Sequence, residues 1–173
     1  MNLVCLDSHY FTWGILKKSK AGQEDLIPQT VEFFGWLDET KATVVVPTPI
    51  ITELLMGADA DERYQILSVL DSQFRVVEFD TLSAKYAADI WNTKKNTGVI
   101  GGIVKAELQK TGMSLRSKIK IDTLIIASAM AAKVNVIYTE DGDFMKLAEG
   151  FLVTRKMPLS SQLKLPFPNP DML

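Results

Sequence analysis

The sequence predicts one α/β domain with a central, mainly parallel sheet of four to five strands flanked by helices. Three observations lead there. Short apolar runs, "LVCL" at residues 3–6 and "ATVVVP" at 42–47, end abruptly at polar residues, as strands buried on both faces do. These runs alternate with stretches of helical character, the order that builds parallel sheets. Composition agrees: 173 residues, 47% hydrophobic and 23% charged, suit a folded chain with one core.

Each element follows from local chemistry. The first strand stops at Asp7, and residues 10–18 continue as a helix with Asp7 or Ser8 near its start. "AGQEDLIPQT" is a loop, and Pro28 suits the first turn of the helix "PQTVEFFGWLDET". After the second strand comes "TPIITELLMG", with Thr48 as its N-cap, Pro49 in its first turn and Gly57 as its stop. A helix over 60–72 and a strand "FRVVEF" follow. "TLSAKYAADIWNTKKNTG" is an amphipathic helix opened by Thr81 and closed by Gly98, and "GGIVKAELQKTG" is a helix bounded by glycines. "MSLRSKIKI" reads as a linker, with Asp122 capping the apolar, alanine-rich helix "TLIIASAMAAK". "VNVIYT" is the fourth strand and "FLVTR" a weak fifth. The domain is expected over 1–155, with a proline-rich tail over 156–173 whose end, "LPFPNPDML", is extended or disordered.

Several function classes are excluded or disfavoured. Cys5 is the only cysteine, so no internal disulfide or cysteine metal cage forms; it reads as a small buried hydrophobe. With His9 the only histidine, a two-histidine acid/base nuclease is ruled out. No apolar run approaches the roughly 18 residues that span a bilayer, and the N-terminus lacks a signal-peptide pattern, so a cytoplasmic protein without membrane contact is expected. The net charge of −2 conceals an asymmetry. Residues 94–120 hold seven basic side chains (Lys94, Lys95, Lys105, Lys110, Arg116, Lys118, Lys120) against Glu107, a window of +6 that leaves −8 elsewhere. Such runs are commonly solvated surface.

The acids carry the functional signal. Asp7 ends the first strand, Glu53 lies early in the helix after the second, Asp122 opens the helix before the fourth, and Asp141 and Asp143 follow that strand. In a parallel sheet these positions fall on one edge, beyond the carboxyl ends of the strands. Unscreened, such carboxylates repel by on the order of several kcal/mol. A hard dication such as Mg²⁺ or Mn²⁺, which prefers oxygen ligands, removes the conflict. Each acid also has an ordinary reading: Asp122 as an N-cap, Asp7 as a helix start, Glu140 as a solvated turn residue.

"LVCLDSHYF", "VVVPTPIITELLMG" and "IDTLIIASAMAAKVNVIYTEDGDF" together resemble PIN-domain proteins, many of them VapC-like toxin ribonucleases of toxin–antitoxin pairs. The pattern runs from about Leu3 to Val153: a strand-end Asp followed by Ser, a Glu in the helix after the second strand, a D-x-x-I-A-like helix start and a T-x-D-x-D-F turn. The resemblance implies a PIN-like three-layer fold and metal-site carboxylates Asp7, Glu53, Asp122 and Asp141, with Asp143 a substitute or fifth acid. It implies that Ser8 and Thr139 support the site by hydrogen bonding. It also implies a homodimer and an inhibitory antitoxin partner. The chain departs from the family pattern in its extra length around 99–120 and at the tail, and in carrying His9.

The expected activity is endonucleolytic, metal-dependent hydrolysis of single-stranded or structured RNA, with Mg²⁺ or Mn²⁺ as cofactor. Asp7, Asp122 and Asp141 bind the metal, Glu53 completes the shell or orients the attacking water, and Arg116, Lys118 and Lys120 contact the RNA backbone. His9, Tyr10, Phe11 and Trp13 are candidates for base stacking, with ordinary core packing the favoured reading of Phe11 and Trp13. One alternative is a PIN-fold RNA-binding or protein-interaction domain without catalysis. The other is an Mg²⁺-dependent phosphoacceptor receiver-like domain, which needs an acid after a central third strand; Glu78 or Asp80 would serve.

Overall fold

A computed structural model describes residues 2–111 and 116–163. Five strands, β1 (Leu3–Leu6), β2 (Thr43–Pro47), β3 (Arg75–Val77), β4 (Val136–Tyr138) and β5 (Thr154–Arg155), form one sheet in the order β3-β2-β1-β4-β5. All four pairings are parallel. Val4, Cys5 and Leu6 in the central strand and Val44, Val45 and Val46 beside it are buried, which is why both runs lack polar alternation.

Helices flank this sheet and make every crossover. α1 (Ser8–Gly14) and α2 (Leu26–Glu39) join β1 to β2; α3 (Thr48–Met56) and α4 (Ala60–Gln73) join β2 to β3. α5 (Thr81–Asn96), α6 (Val99–Thr111) and α7 (Arg116–Ala131) lead from β3 to β4, and α8 (Gly142–Ala148) from β4 to β5. A last short helix, α9 (Ser160–Leu163), follows the sheet and packs against α2. The end of the expected proline-rich tail, residues 164–173, lies outside the described residues.

Several local expectations change. Thr48 is the first residue of α3 and not its N-cap, a place taken by Pro47 without a side-chain bond, while the Thr48 hydroxyl accepts the Phe79 amide at 3.2 Å. The first helix spans Ser8–Gly14 and stops short of residue 18. α7 begins at Arg116, not after Asp122, so the expected linker is helical over residues 116–121 and Asp122 is no N-cap. The reason is an apolar face at helical spacing, Ile119, Thr123 and Ile126, all buried, which the intervening Arg116, Lys118 and Lys120 obscure in the sequence. Gly101 and Gly102, expected to bound a helix, lie inside α6.

The aromatic residues after Asp7 belong to the core. Tyr10, Phe11 and Trp13 are buried, and the Tyr10 and Trp13 rings meet edge-on at 5.6 Å. They are therefore unavailable for stacking on a substrate base; His9, beside them, is exposed. Phe33, Trp36 and Leu37 of "VEFFGWL" are likewise core. α1 and α2 approach so closely that a Cβ on Gly14 would lie 2.6 Å from the Phe34 ring, which explains glycine there.

The receiver-like alternative fails on topology. Its acid must follow a central strand, but β3 is an edge strand. Asp80 instead caps α5, accepting the Ser83 amide and hydroxyl at 2.7 Å each.

Candidate functional site

The site begins where the strand order changes direction, between β1 and β4, the place at which parallel sheets open a crevice. Leu6 is in register with Tyr138, and the Asp7 amide extends the ladder by donating to the Tyr138 carbonyl at 3.0 Å. Asp7 and Thr139 are thereby placed side by side. The Thr139 hydroxyl donates to Oδ2 of Asp7 at 2.7 Å. Oδ1 of Asp7 accepts the Ser8 amide at 2.7 Å and the Ser8 hydroxyl at 3.4 Å. Asp7 is 4% exposed, and this hydrogen bonding is what makes a carboxylate tolerable there.

Thr139 also reaches the second acid, accepting the Asp141 amide at 3.0 Å. Asp141 caps α8: its Oδ1 accepts the amides of Asp143 at 2.8 Å and Phe144 at 3.3 Å. Its Oδ2 is ion-paired with Nζ of Lys118. Burial works against ionisation of Asp141, but the Lys118 hydrogen bond and charge, with the capping amides, hold its pKa below the usual carboxylate value.

Asp122 lies one helical turn beyond Lys118 on the same side of α7. It is 5% exposed. Burial, reinforced by the charges of Asp7, Asp141 and Glu53 and opposed by Lys118, pushes its carboxyl up to about 8. Glu53, on α3, is held above its ordinary value chiefly by burial and by Asp7, while a hydrogen bond from Ser8 and the charges of His9 and Lys118 pull the other way. His9 is raised by its hydrogen bond to Asp7, at 3.5 Å from Nδ1 to Oδ2. Asp7, Glu53, Asp122 and Asp141 thus share one electrostatic neighbourhood, with Lys118 as its ammonium.

The remaining candidates are placed differently. Asp143 projects from the first turn of α8 and pairs with Lys146 at 2.7 Å. Arg116 and Lys120 are exposed on α7, whereas Lys118 between them is only partly exposed and turned onto Asp141. Glu140, read from sequence as a solvated turn residue, is a brace: its Oε1 accepts the Tyr10 hydroxyl at 3.1 Å and the Met157 amide at 2.9 Å. Nothing in the local sequence announces that role, since both partners are distant in the chain.

The donor set is all carboxylate oxygen and suits a hard divalent cation; the rise of Asp122 comes chiefly from burial, with the neighbouring acids adding to it. Among the described residues, no three His, Cys, Asp or Glu side chains stand close enough to ligate one ion together. Direct coordination by the full set therefore requires side-chain movement, and contact through retained waters is the mode in which Mg²⁺ commonly binds.

The fold and site together define a parallel α/β domain with carboxylates gathered at its switch point. The family model of the PIN domain matches residues 4–150, and the chain belongs to that family. Solved structures share the fold. VapBC2 from Rickettsia felis, bound to a DNA fragment from their promoter, superposes with a TM-score of 0.55 at 14% identity, covering 90% of this chain and 99% of that one. DNA-bound VapBC from Salmonella typhimurium gives 0.54 at 19% identity, covering 91% and 100%. VapBC-1 from nontypeable Haemophilus influenzae gives 0.54 at 13%, covering 90% and 98%. No curated protein matches the chain. None of the described helices is long and apolar enough to cross a membrane.

Proposed function

We propose that this protein is a divalent-metal-dependent endoribonuclease that hydrolyses phosphodiester bonds of single-stranded or structured RNA. The observation that carries this reading is the gathering of Asp7, Glu53, Asp122 and Asp141 at the β1–β4 edge, supported by membership of the PIN domain family. When bound, Mg²⁺ or Mn²⁺ supplies Lewis-acid polarisation of the phosphodiester and a water of lowered pKa. Asp7, Asp122 and Asp141 hold the cation, directly or through water. Thr139 and Ser8 keep the Asp7 carboxylate oriented, and Thr139 also fixes the backbone of Asp141. Glu53, raised by burial, takes the proton from the attacking water. Arg116 and Lys120, exposed at the start of α7, offset the repulsion between an acidic crevice and the phosphates of the approaching strand.

By its resemblance to VapC-like proteins, the chain acts in the cytoplasm as the toxin of a toxin–antitoxin pair, a homodimer held inactive by its antitoxin. Its fold relatives being VapBC structures supports this partner class.

One observation favours a second reading, a PIN-fold domain that binds RNA without cleaving it: an ammonium already satisfies Asp141. The deciding experiment is cleavage of an RNA panel with Mg²⁺, Mn²⁺ or EDTA. Metal-dependent cleavage abolished by Asp7→Asn supports the nuclease. RNA binding without cleavage at any divalent metal establishes the second reading.

A further inference from the structure

The cluster holds a cation of its own. Lys118 lies in the first turn of α7, where its neighbours Arg116 and Lys120 are exposed to solvent. Its side chain instead folds inward to 37% exposure and its Nζ pairs with Oδ2 of Asp141. That oxygen is the informative one. Oδ1 of Asp141 is committed to the two capping amides of α8, so Oδ2 is the oxygen left for a metal ion. The i, i+4 spacing sets Lys118 over Asp122, and the charges of Asp122, Asp141 and Asp7 all act on its ammonium.

We propose that Lys118 is a tethered competitor for the cation: its ammonium occupies the metal-facing oxygen of Asp141 in the metal-free protein and is displaced when a divalent ion enters. The inference rests on the metal-dependent reading above and extends it. It assigns Lys118 a positioning and affinity-setting role in place of the backbone-contact role expected of it from the sequence alongside Arg116 and Lys120. The tether neutralises part of the carboxylate repulsion within the cluster. Every entering ion must then exchange with it, which sets the site's affinity below that of the bare carboxylates.

The test uses Mn²⁺ alone, without RNA, measured by calorimetry and by the paramagnetic signal of free Mn²⁺ for the full chain, K118M, K120M and D7N. Removing a partly exposed pairing partner should tighten Mn²⁺ binding by about three- to tenfold in K118M. K120M, with the same change in net charge, should stay within about twofold, because its ammonium is solvent-screened. A second readout needs no variant. Mass spectrometry after brief acylation of the full chain should show Lys118 labelled several-fold faster at saturating Mn²⁺, with Lys120 unchanged. The proposal is overturned if wild type and K118M bind Mn²⁺ equally, if K120M tightens as much as K118M, or if Lys118 labelling ignores Mn²⁺. Mn²⁺ binding lost in D7N then leaves the metal-site reading standing. If no form binds Mn²⁺, that reading and this proposal fall together.

Discussion

The Thr139 hydroxyl donates to Oδ2 of Asp7 at 2.7 Å, joining residues 132 positions apart. The bond is possible because β1 and β4 are neighbours in the sheet and end in register. One hydroxyl serves two acids, since its oxygen also accepts the Asp141 amide.

Thr139→Val tests that junction. The isostere leaves a buried carboxylate oxygen and a backbone amide without their shared partner, which costs about 1–3 kcal/mol. Urea denaturation should register the loss, with Thr139→Ser close to wild type. RNA cleavage should fall further than stability explains, because Asp7 is no longer held in place.

Asp122 supplies a pH prediction. Its carboxyl is raised from 3.8 to about 8 in the folded protein, so between those values the folded state binds more protons than the unfolded one. The stability from this excess protonation is fully present below about 4. It is lost as pH rises toward about 8, with a slope of at most about 1.4 kcal/mol per pH unit. Asp122→Asn should flatten metal-free thermal melts across that window and leave the variant the more stable form above it. Equal pH profiles would contradict a raised Asp122.

Glu140 is expected to be structural. Glu140→Ala strands the hydroxyl of buried Tyr10 and the Met157 amide, for a cost of about 2–3 kcal/mol in chemical denaturation. Tyr10→Phe, which removes one of the two bonds, should cost about 1 kcal/mol. A change within about 0.5 kcal/mol for Glu140→Ala would return it to an ordinary surface position.

Arg116 and Lys120 should reveal themselves through salt. If each neutralises one phosphate, Arg116→Gln and Lys120→Gln weaken RNA binding similarly across sequences. Each should also reduce the slope of log affinity against log salt by roughly 0.7–0.9. Titrations at several KCl concentrations decide it; an unchanged slope removes the residue from the interface.

The sequence by itself determined the kind of fold and the candidate acids. Buried parallel strands must be apolar on both faces, so "LVCL" and "ATVVVP" announce themselves. A strand-end acid such as Asp7 is legible because the apolar run stops there. What stayed illegible depends on residues far apart in the chain. The continuation of α7 through Lys118 and Asp122 rests on Ile119 finding a buried place that local charge pattern conceals. The strand order β3-β2-β1-β4-β5 makes Thr139 a neighbour of Asp7 and sends β3 to the edge. Only tertiary packing decided that Lys118 turns inward while Lys120 faces water, and that Glu140 ties α1 to the segment after β5. Strand propensity and helix periodicity are set by neighbouring residues, whereas a long side chain's direction is set by whichever distant charge the finished fold brings within reach.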